Sequence, residues 1–90
     1  MRRSYVLEAI KDFKNALYAE FNRAMEQNAP YVDIRSGDLH RNAGGYPGPN
    51  HRMPSCCAVM EREMKVHDQI LKAPPRGRGA SLTIRYMLPR

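Results

Sequence analysis

The residues with the clearest chemistry are two arginines in a short stretch rich in glycine and proline. Residues 74–79 read Pro-Pro-Arg-Gly-Arg-Gly, so Arg76 and Arg78 lie in a segment that cannot form regular secondary structure. A guanidinium group presents several N–H donors in a planar fork that fits phosphate oxygens and the edge of guanine. The stretch therefore predicts salt-sensitive contact with nucleic acid. The alternative is a loop whose charges keep the sheet edges from aggregating.

A second group of polar residues is predicted at the ends of two helices. Arg41 follows His40 in one predicted helix, and His51, Arg52 and Ser55 lie at the start of the next. The backbone amides at a helix N-terminus already favour a phosphate, and these side chains would add donors. We expect Arg41, His51, Arg52 and Ser55 to contact nucleic acid. The alternative is that the arginines are solvated and the histidines pack in the turn.

Zinc is the metal that the histidines and cysteines of the chain could bind. They form neither a CxxC pair nor a His-x3-His pair, and the adjacent Cys56 and Cys57 would point in different directions on a helix. Cys57 also belongs to an apolar stripe. We expect no metal and no cofactor, and two reduced thiols, because a disulfide between neighbouring residues is strained.

The stretch Asp38-Leu39-His40, then Gly44-Gly45, then Asn50-His51 resembles part of HNH-type nucleases. The resemblance would imply one histidine as general base and others as metal ligands. The gap from histidine to asparagine is too short, and the last metal-binding histidine has no counterpart on the following helix. No activated serine, carboxylate pair or phosphate-binding loop stands elsewhere. We expect no enzymatic activity, with a metal-dependent nuclease as the weaker alternative.

The composition predicts a single small basic domain. The 90 residues are 42% hydrophobic and 27% charged, as in globular proteins, and such a short chain has a thin core. The net charge is +6 and eleven of the fifteen basic residues are arginine, which favours a polyanionic partner. No apolar stretch approaches the length of a membrane span or a secretory core. We therefore expect a cytoplasmic protein without a membrane partner.

Hydrophobic periodicity predicts an α+β order of elements. The predicted helices run from Ser4 to about Gln27, from Gly37 to Ala43 with Ser36 as cap, and onward from a start between Asn50 and Pro54. The predicted strands are Tyr31–Arg35, Asp68–Ala73 and Ser81–Met87, the last two forming a hairpin. The expected buried stripes are Met53, Cys57, Met60 and Met64 on the third helix, and Leu82, Ile84, Tyr86 and Leu88 on the last strand.

This order of elements is similar to that of winged helix-turn-helix domains, and the likeness covers essentially the whole chain. It implies one domain over 1–90, with a long N-terminal helix over 1–28, a strand and helix-turn-helix over 31–66, and a wing hairpin over 67–90. The third helix is implied to enter the major groove, and the wing to lie in the minor groove or on the backbone. The wing tip, Pro75-Arg76-Gly77-Arg78, also resembles the core of an AT-hook, although Gly79 stands where that motif usually has proline.

Two features depart from the pattern of the winged helix-turn-helix. The turn from Gly44 to Pro49 is longer than the standard turn, and Glu61 and Glu63 place acid on the third helix. We therefore expect the N-terminal end of that helix to make most of the contacts. The same acids favour an alternative function, a module for protein–protein interaction or assembly.

The long first helix predicts a dimer. A small domain needs about three turns of it, which would leave Phe13, Leu17 or Phe21 partly bare. Such a patch commonly forms a twofold interface. The alternative is that the helix lies across one face of the domain. The sequence thus predicts a non-enzymatic homodimer that binds double-stranded DNA, a small transcriptional regulator.

Overall fold

The computed structural model describes residues 2–43, 52–75 and 79–90, and the side chains of the first helix from residue 11 onward. The elements are α1 (Arg2–Glu26), β1 (Tyr31–Arg35), α2 (Ser36–Ala43), α3 (Met53–Arg62), β2 (Gln69–Lys72) and β3 (Thr83–Met87). The predicted α+β order is confirmed, and β1 has the predicted bounds. None of the helices within these ranges is long and apolar enough to cross a membrane.

The first helix starts earlier than predicted and ends where predicted. It begins at Arg2, so the prediction that Ser4 caps it is wrong. At its other end Asn28 adopts a left-handed backbone, with φ at 58°, and Ala29 N–H donates to the carbonyl of Ala24 at 3.0 Å. Asparagine tolerates this conformation and is a common residue just after a helix. The chain is thereby turned out of α1 and into β1.

The three strands form an antiparallel sheet in the order β1-β3-β2. At one end, which we call the loop end, Thr83 lies opposite Arg35 of β1 and opposite Lys72 of β2. At the other, the distal end, Met87 lies opposite Tyr31. The arginine-rich stretch connects β2 to β3 at the loop end.

The described helices pack against one face of this sheet. The predicted stripes are confirmed: Met53, Cys57 and Met60 are buried, and Met64 packs against the core. Leu82, just before β3, and Ile84 and Tyr86 within it are buried, and Leu88 packs against them. The hydroxyl of Tyr86 donates to the carbonyl of Met60 at 2.8 Å, which satisfies the polar atom of this fully buried side chain. The core therefore joins the sheet directly to α3.

The apolar stripe of α1 lies inside the chain's own core. Phe13, Leu17 and Phe21 are 2%, 0% and 3% exposed, so the prediction that one of them stays bare for a dimer interface is wrong. The physical reason is that α1 is long enough for this stripe to contact both α2 and β3. The ring of Phe13 meets His40 of α2 at 4.7 Å between centroids, and that of Phe21 meets Tyr86 of β3 at 4.9 Å. The helix lies across one face of the domain, which was the alternative.

A buried ion pair closes the distal end. The carboxylate of Asp68, just before β2, lies 2.8 Å from the guanidinium of Arg90, and the two side chains are 1% and 7% exposed. Asp68 also accepts the N–H groups of Met87 at 2.7 Å and Lys65 at 2.8 Å. The Arg90 group lies 4.7 Å from the ring centre of Phe21. One carboxylate thus ties both ends of the hairpin to the core.

We expect Asp68 to make the stability of the fold dependent on acid pH. Burial raises the pKa of this carboxyl, but the hydrogen bonds from Met87, Lys65 and Arg90 outweigh it and hold the pKa below its ordinary value. A carboxyl with a depressed folded-state pKa stabilises the fold fully above its unfolded pKa, about 4, and loses that contribution as the pH falls through the folded value. Urea midpoints of the wild type and Asp68→Asn should therefore differ at pH 7 and pH 5 and converge toward pH 2. A constant difference would contradict the assignment.

Candidate nucleic-acid interface

The end of the arginine-rich loop is fastened to the start of α2 by backbone hydrogen bonds. Ser36 N–H donates to the Leu82 carbonyl at 2.8 Å, and Gly37 N–H donates to the Ala80 carbonyl at 2.9 Å. A helix leaves its first N–H groups without partners inside the helix, and two of them are accepted here by carbonyls of residues 79–82, which we call the stem. The prediction that the Ser36 side chain caps α2 is therefore wrong.

The Gly79 carbonyl is the second point of attachment. It accepts the hydroxyl of Ser36 at 2.5 Å and the thiol of Cys57 at 3.4 Å. The first donor comes from α2 and the second from α3, so one carbonyl connects the stem to both helices. This contact places the residue after Arg78 beside the first half of α3.

The two cysteines are buried free thiols with a packing role. The Cys56 thiol donates to the Ser36 carbonyl at 3.6 Å. Burial, and then the neighbouring Cys57, raise the pKa of Cys56 to about 12, so this group stays protonated and is a poor nucleophile. The two thiols of α3 therefore act as weak hydrogen-bond donors to the backbone.

Gly37 is required by the close approach of the stem. A Cβ atom at this position would lie 3.0 Å from the Ala80 carbonyl oxygen and 3.2 Å from the Ala80 Cβ. Both atoms belong to the stem, which hydrogen bonds hold against α2. Contacts this short are overpacked and force the surroundings to move.

We expect Gly37→Ala to lower the free energy of unfolding by about 1–3 kcal/mol, since the stem must shift away from α2. The measurement is urea unfolding followed by circular dichroism. Ser81→Ala, a change within the same stem that keeps the backbone groups, is the matched control and should leave the midpoint nearly unchanged. A Gly37→Ala protein as stable as the control would mean that the stem is loosely held.

His40 joins α2 to the start of α3. Its ring Nε2 accepts the backbone N–H of Arg52 at 2.8 Å, and the side chain is 1% exposed. This nitrogen therefore carries no proton in the hydrogen bond. His40 is thus buried within α2, and its role is to position the residue that precedes α3.

The contact at His40 brings three predicted binding residues to one region. Arg41 is next to His40 in α2, and its exposed side chain lies 3.7 Å from the carboxylate of Asp38. Arg52 immediately precedes α3, and Ser55 lies in its first turn; both are half-buried. Arg52 and Ser55 thus precede the part of α3 that contacts the stem, and Arg41 lies on α2, whose start is held by the same stem.

Glu63, one of the two acids that depart from the winged-helix pattern, faces away from this region. Its carboxylate accepts the hydroxyl of Tyr18 on α1 at 2.6 Å, and this hydrogen bond raises the pKa of Tyr18. Glu63 follows the last residue of α3, about 15 Å along the helix axis from its start. Its charge therefore lies beside α1 and not beside Arg52 or Ser55.

Two basic residues at the loop end were not predicted from the sequence. Arg35 ends β1, Lys72 ends β2, and both are exposed opposite Thr83. The place of Lys72 in the predicted strand just before the loop could have identified it, whereas only the pairing of β1 with β3 brings Arg35 to this end of the sheet. Arg76, Arg78, His51 and the turn over residues 44–49 lie outside the described residues.

Comparison of this chain with protein-family models, with curated proteins and with solved structures finds no match.

Proposed function

We propose that the chain is a winged helix-turn-helix protein that binds double-stranded DNA as a small, non-enzymatic transcriptional regulator. The order of helices and strands supports this, as does the pairing of β1 with β3, since in such domains the strand before the second helix pairs with the hairpin. In this proposal the first turn of α3 enters a major groove, and the arginine-rich loop follows the adjacent minor groove or backbone.

The observation that carries the proposal is the fastened stem. Hydrogen bonds from Ser36, Gly37 and Cys57 hold residues 79–80 against the starts of α2 and α3. Arg78 immediately precedes this stem, so the chain that carries Arg78 starts from a fixed point beside α3. A helix and a loop held in fixed relation can occupy neighbouring grooves of one duplex, whereas a loosely attached loop would supply only non-specific attraction.

The charge distribution adds a second line of support. The net charge of +6 comes mostly from arginine, and Arg41 and Arg52 stand near the start of α3. The carboxylate of Glu63 is hydrogen-bonded to Tyr18 at the far end of that helix. Arg52 at the start of α3 and the carboxylate of Glu63 just after its end thus lie apart along the helix, which leaves the start of α3 open to a polyanion.

The direct test is the affinity for a random DNA duplex, measured by fluorescence anisotropy at two salt concentrations. With about four phosphate contacts, the binding constant should fall roughly a hundredfold between about 50 and 200 mM salt. Absence of binding at the lower concentration would overturn the proposal. Cleavage of the duplex in the presence of a divalent metal would instead support the nuclease alternative.

The double variant Arg76→Ala/Arg78→Ala should bind the duplex at least about tenfold more weakly, because two guanidinium contacts are lost. The matched control is Arg23→Ala/Lys65→Ala, which removes the same charge from the last turn of α1 and from the segment before β2. An unchanged affinity in the first variant, with DNA binding intact in the wild type, would remove the loop from the mechanism.

A protein-interaction module is the second candidate, and one observation favours it. Three large apolar side chains, Val66, Ile70 and Leu71, are exposed on or next to β2, with Val66 at 89%. Exposed apolar side chains close together in the chain occur at protein interfaces. A homodimer would use a surface of this kind, since the α1 stripe is buried. Concentration-dependent association without DNA binding at low salt would support this candidate over the first.

A further inference from the structure

The outer face of the sheet changes character from its distal end to its loop end. At the distal end the pair is Tyr31 and Met87, each partly exposed. In the middle, Asp33 and Arg85 form a cross-strand pair with two hydrogen bonds of 2.8 and 3.0 Å. Apolar groups thus give way to a neutral ion pair, and the exposed cations of β1 and β2 are confined to the loop end.

The middle pair is unsuited to binding an anion. Both guanidinium contacts of Arg85 go to the carboxylate of Asp33, and they hold the pKa of Asp33 below its ordinary value. The Arg85 group also lies 4.0 Å from the ring centre of Tyr31. A phosphate arriving here would have to displace a carboxylate held by two hydrogen bonds.

The loop end is different. Arg35 and Lys72 are both exposed and both lie opposite Thr83, on the strands to either side of it, and a register shift between Ile70 and Lys72 brings Lys72 to this position. With neighbouring strands about 4.8 Å apart, the two positions are about 10 Å apart across the sheet. They flank the point where the arginine-rich loop begins and ends.

Acidic side chains also lie in this region. Glu20 and Asp33 line the same cleft as Arg35. Asp38 contacts both Arg35 and Arg41. The Asp38 carboxylate oxygen Oδ1 is 3.5 Å from the guanidinium of Arg35 and 3.7 Å from that of Arg41. All three side chains are about half exposed, at 58%, 48% and 60% in that order. Long, exposed ion pairs are weak, and a phosphate can replace the carboxylate at little cost. Asp38 thus neutralises part of the positive charge of this region.

We infer that Arg35, Arg41 and Lys72 form a track for the sugar–phosphate backbone of duplex DNA, running from α2 across the loop end of the sheet, and that Asp38 weakens it. The inference rests on the proposed function and extends it to residues outside the helix and the loop. The track makes sequence-independent contacts, so it adds affinity and orients the duplex while the loop and α3 occupy the grooves.

The slope of log binding constant against log salt concentration tests the track. Each lost phosphate contact should reduce the slope by about 0.9, so Arg35→Ala and Lys72→Ala should each lower it and weaken binding equally for duplexes of different sequence. Lys65→Ala is the matched control because Lys65 precedes β2 at the distal end, whereas Lys72 ends it at the loop end. The control should keep the wild-type slope.

The outcomes separate the two proposals. If the wild type binds with a steep slope and neither variant changes it, the track is wrong while DNA binding stands. If the wild type fails to bind, the proposed function itself is wrong. Unfolding midpoints equal to that of the wild type show that a lower slope reflects lost contacts.

Asp38→Asn provides a test that a purely structural role would not meet. Removing this carboxylate should strengthen duplex binding about two- to fivefold at low salt, and the gain should shrink at higher salt as charges are screened. Glu26→Gln, at the exposed end of α1, removes the same charge next to the distal end and should leave the affinity unchanged. An Asp38→Asn protein that binds no more tightly would overturn the role of Asp38.

Discussion

Asp68→Ala is expected to lower the free energy of unfolding by about 3–5 kcal/mol, because it leaves the buried guanidinium of Arg90 without its carboxylate. The remaining acceptors of Arg90 are the carbonyls of Glu63 and Met87, at 2.6 and 3.3 Å, which carry no full charge. Folded domains are stable by about 5–15 kcal/mol, so this loss is a large share of the total. Urea unfolding followed by circular dichroism and fluorescence measures it.

A second ion pair in the same sheet supplies the control. Asp33 and Arg85 are also joined by two hydrogen bonds, but both side chains are partly exposed, so solvent screens the attraction between their charges. Asp33→Ala should therefore cost much less than Asp68→Ala. The double variant Asp68→Ala/Arg90→Ala should lose less than the two single variants together, since no unpaired charge stays buried. Equal losses at Asp68 and Asp33 would contradict the importance of burial.

Leu17→Ala should cost about 2–5 kcal/mol, which makes it the second large effect. This side chain is 0% exposed, and its removal leaves a cavity between α1 and the rest of the core. The loss should be the same at low and high protein concentration, because the contact lies within one chain. Urea unfolding at two concentrations a hundredfold apart measures both statements.

The matched control is Asn15→Ala, two residues earlier on the exposed side of α1. It should change the free energy of unfolding by no more than about 0.5 kcal/mol. If the loss at Leu17 grew on dilution, the stripe would belong to an interface between two copies, and the prediction that it contacts a partner would be restored.

The elements of this fold could be predicted because each depends on local pattern. The alternation in Tyr31–Arg35, bounded by Pro30, gave β1 its observed ends, and the steps of three and four on α3 identified the buried Cys57 and Met60. The winged-helix topology, by contrast, stays a prediction, because it depends on how these segments assemble. Local rules describe segments and leave their assembly open.

The attachments of the site could not be predicted because they join distant parts of the chain. Ser36 and Gly79 are separated by 43 residues, and nothing in either segment indicates that one donates to the other. Asp68 and Arg90 look like ordinary charges at strand ends, and only burial makes their pairing important. The prediction that the α1 stripe is partly exposed was wrong, because the length of the helix alone does not show that α2 and the sheet cover the stripe.

Because the carbonyl of Gly79 is fastened to the helices, the number of residues before it can be changed without loss of this anchor. Since Gly79 and Ala80 are anchored to α2 and α3, residues inserted between Pro75 and Gly79 would not have to disturb the core. Doubling a flexible loop costs only about 0.6 kcal/mol of closure entropy. Variants with longer or shorter segments could therefore retune how far the arginines extend along a ligand, with the scaffold left intact, which makes this position a natural place for engineered or evolutionary variation.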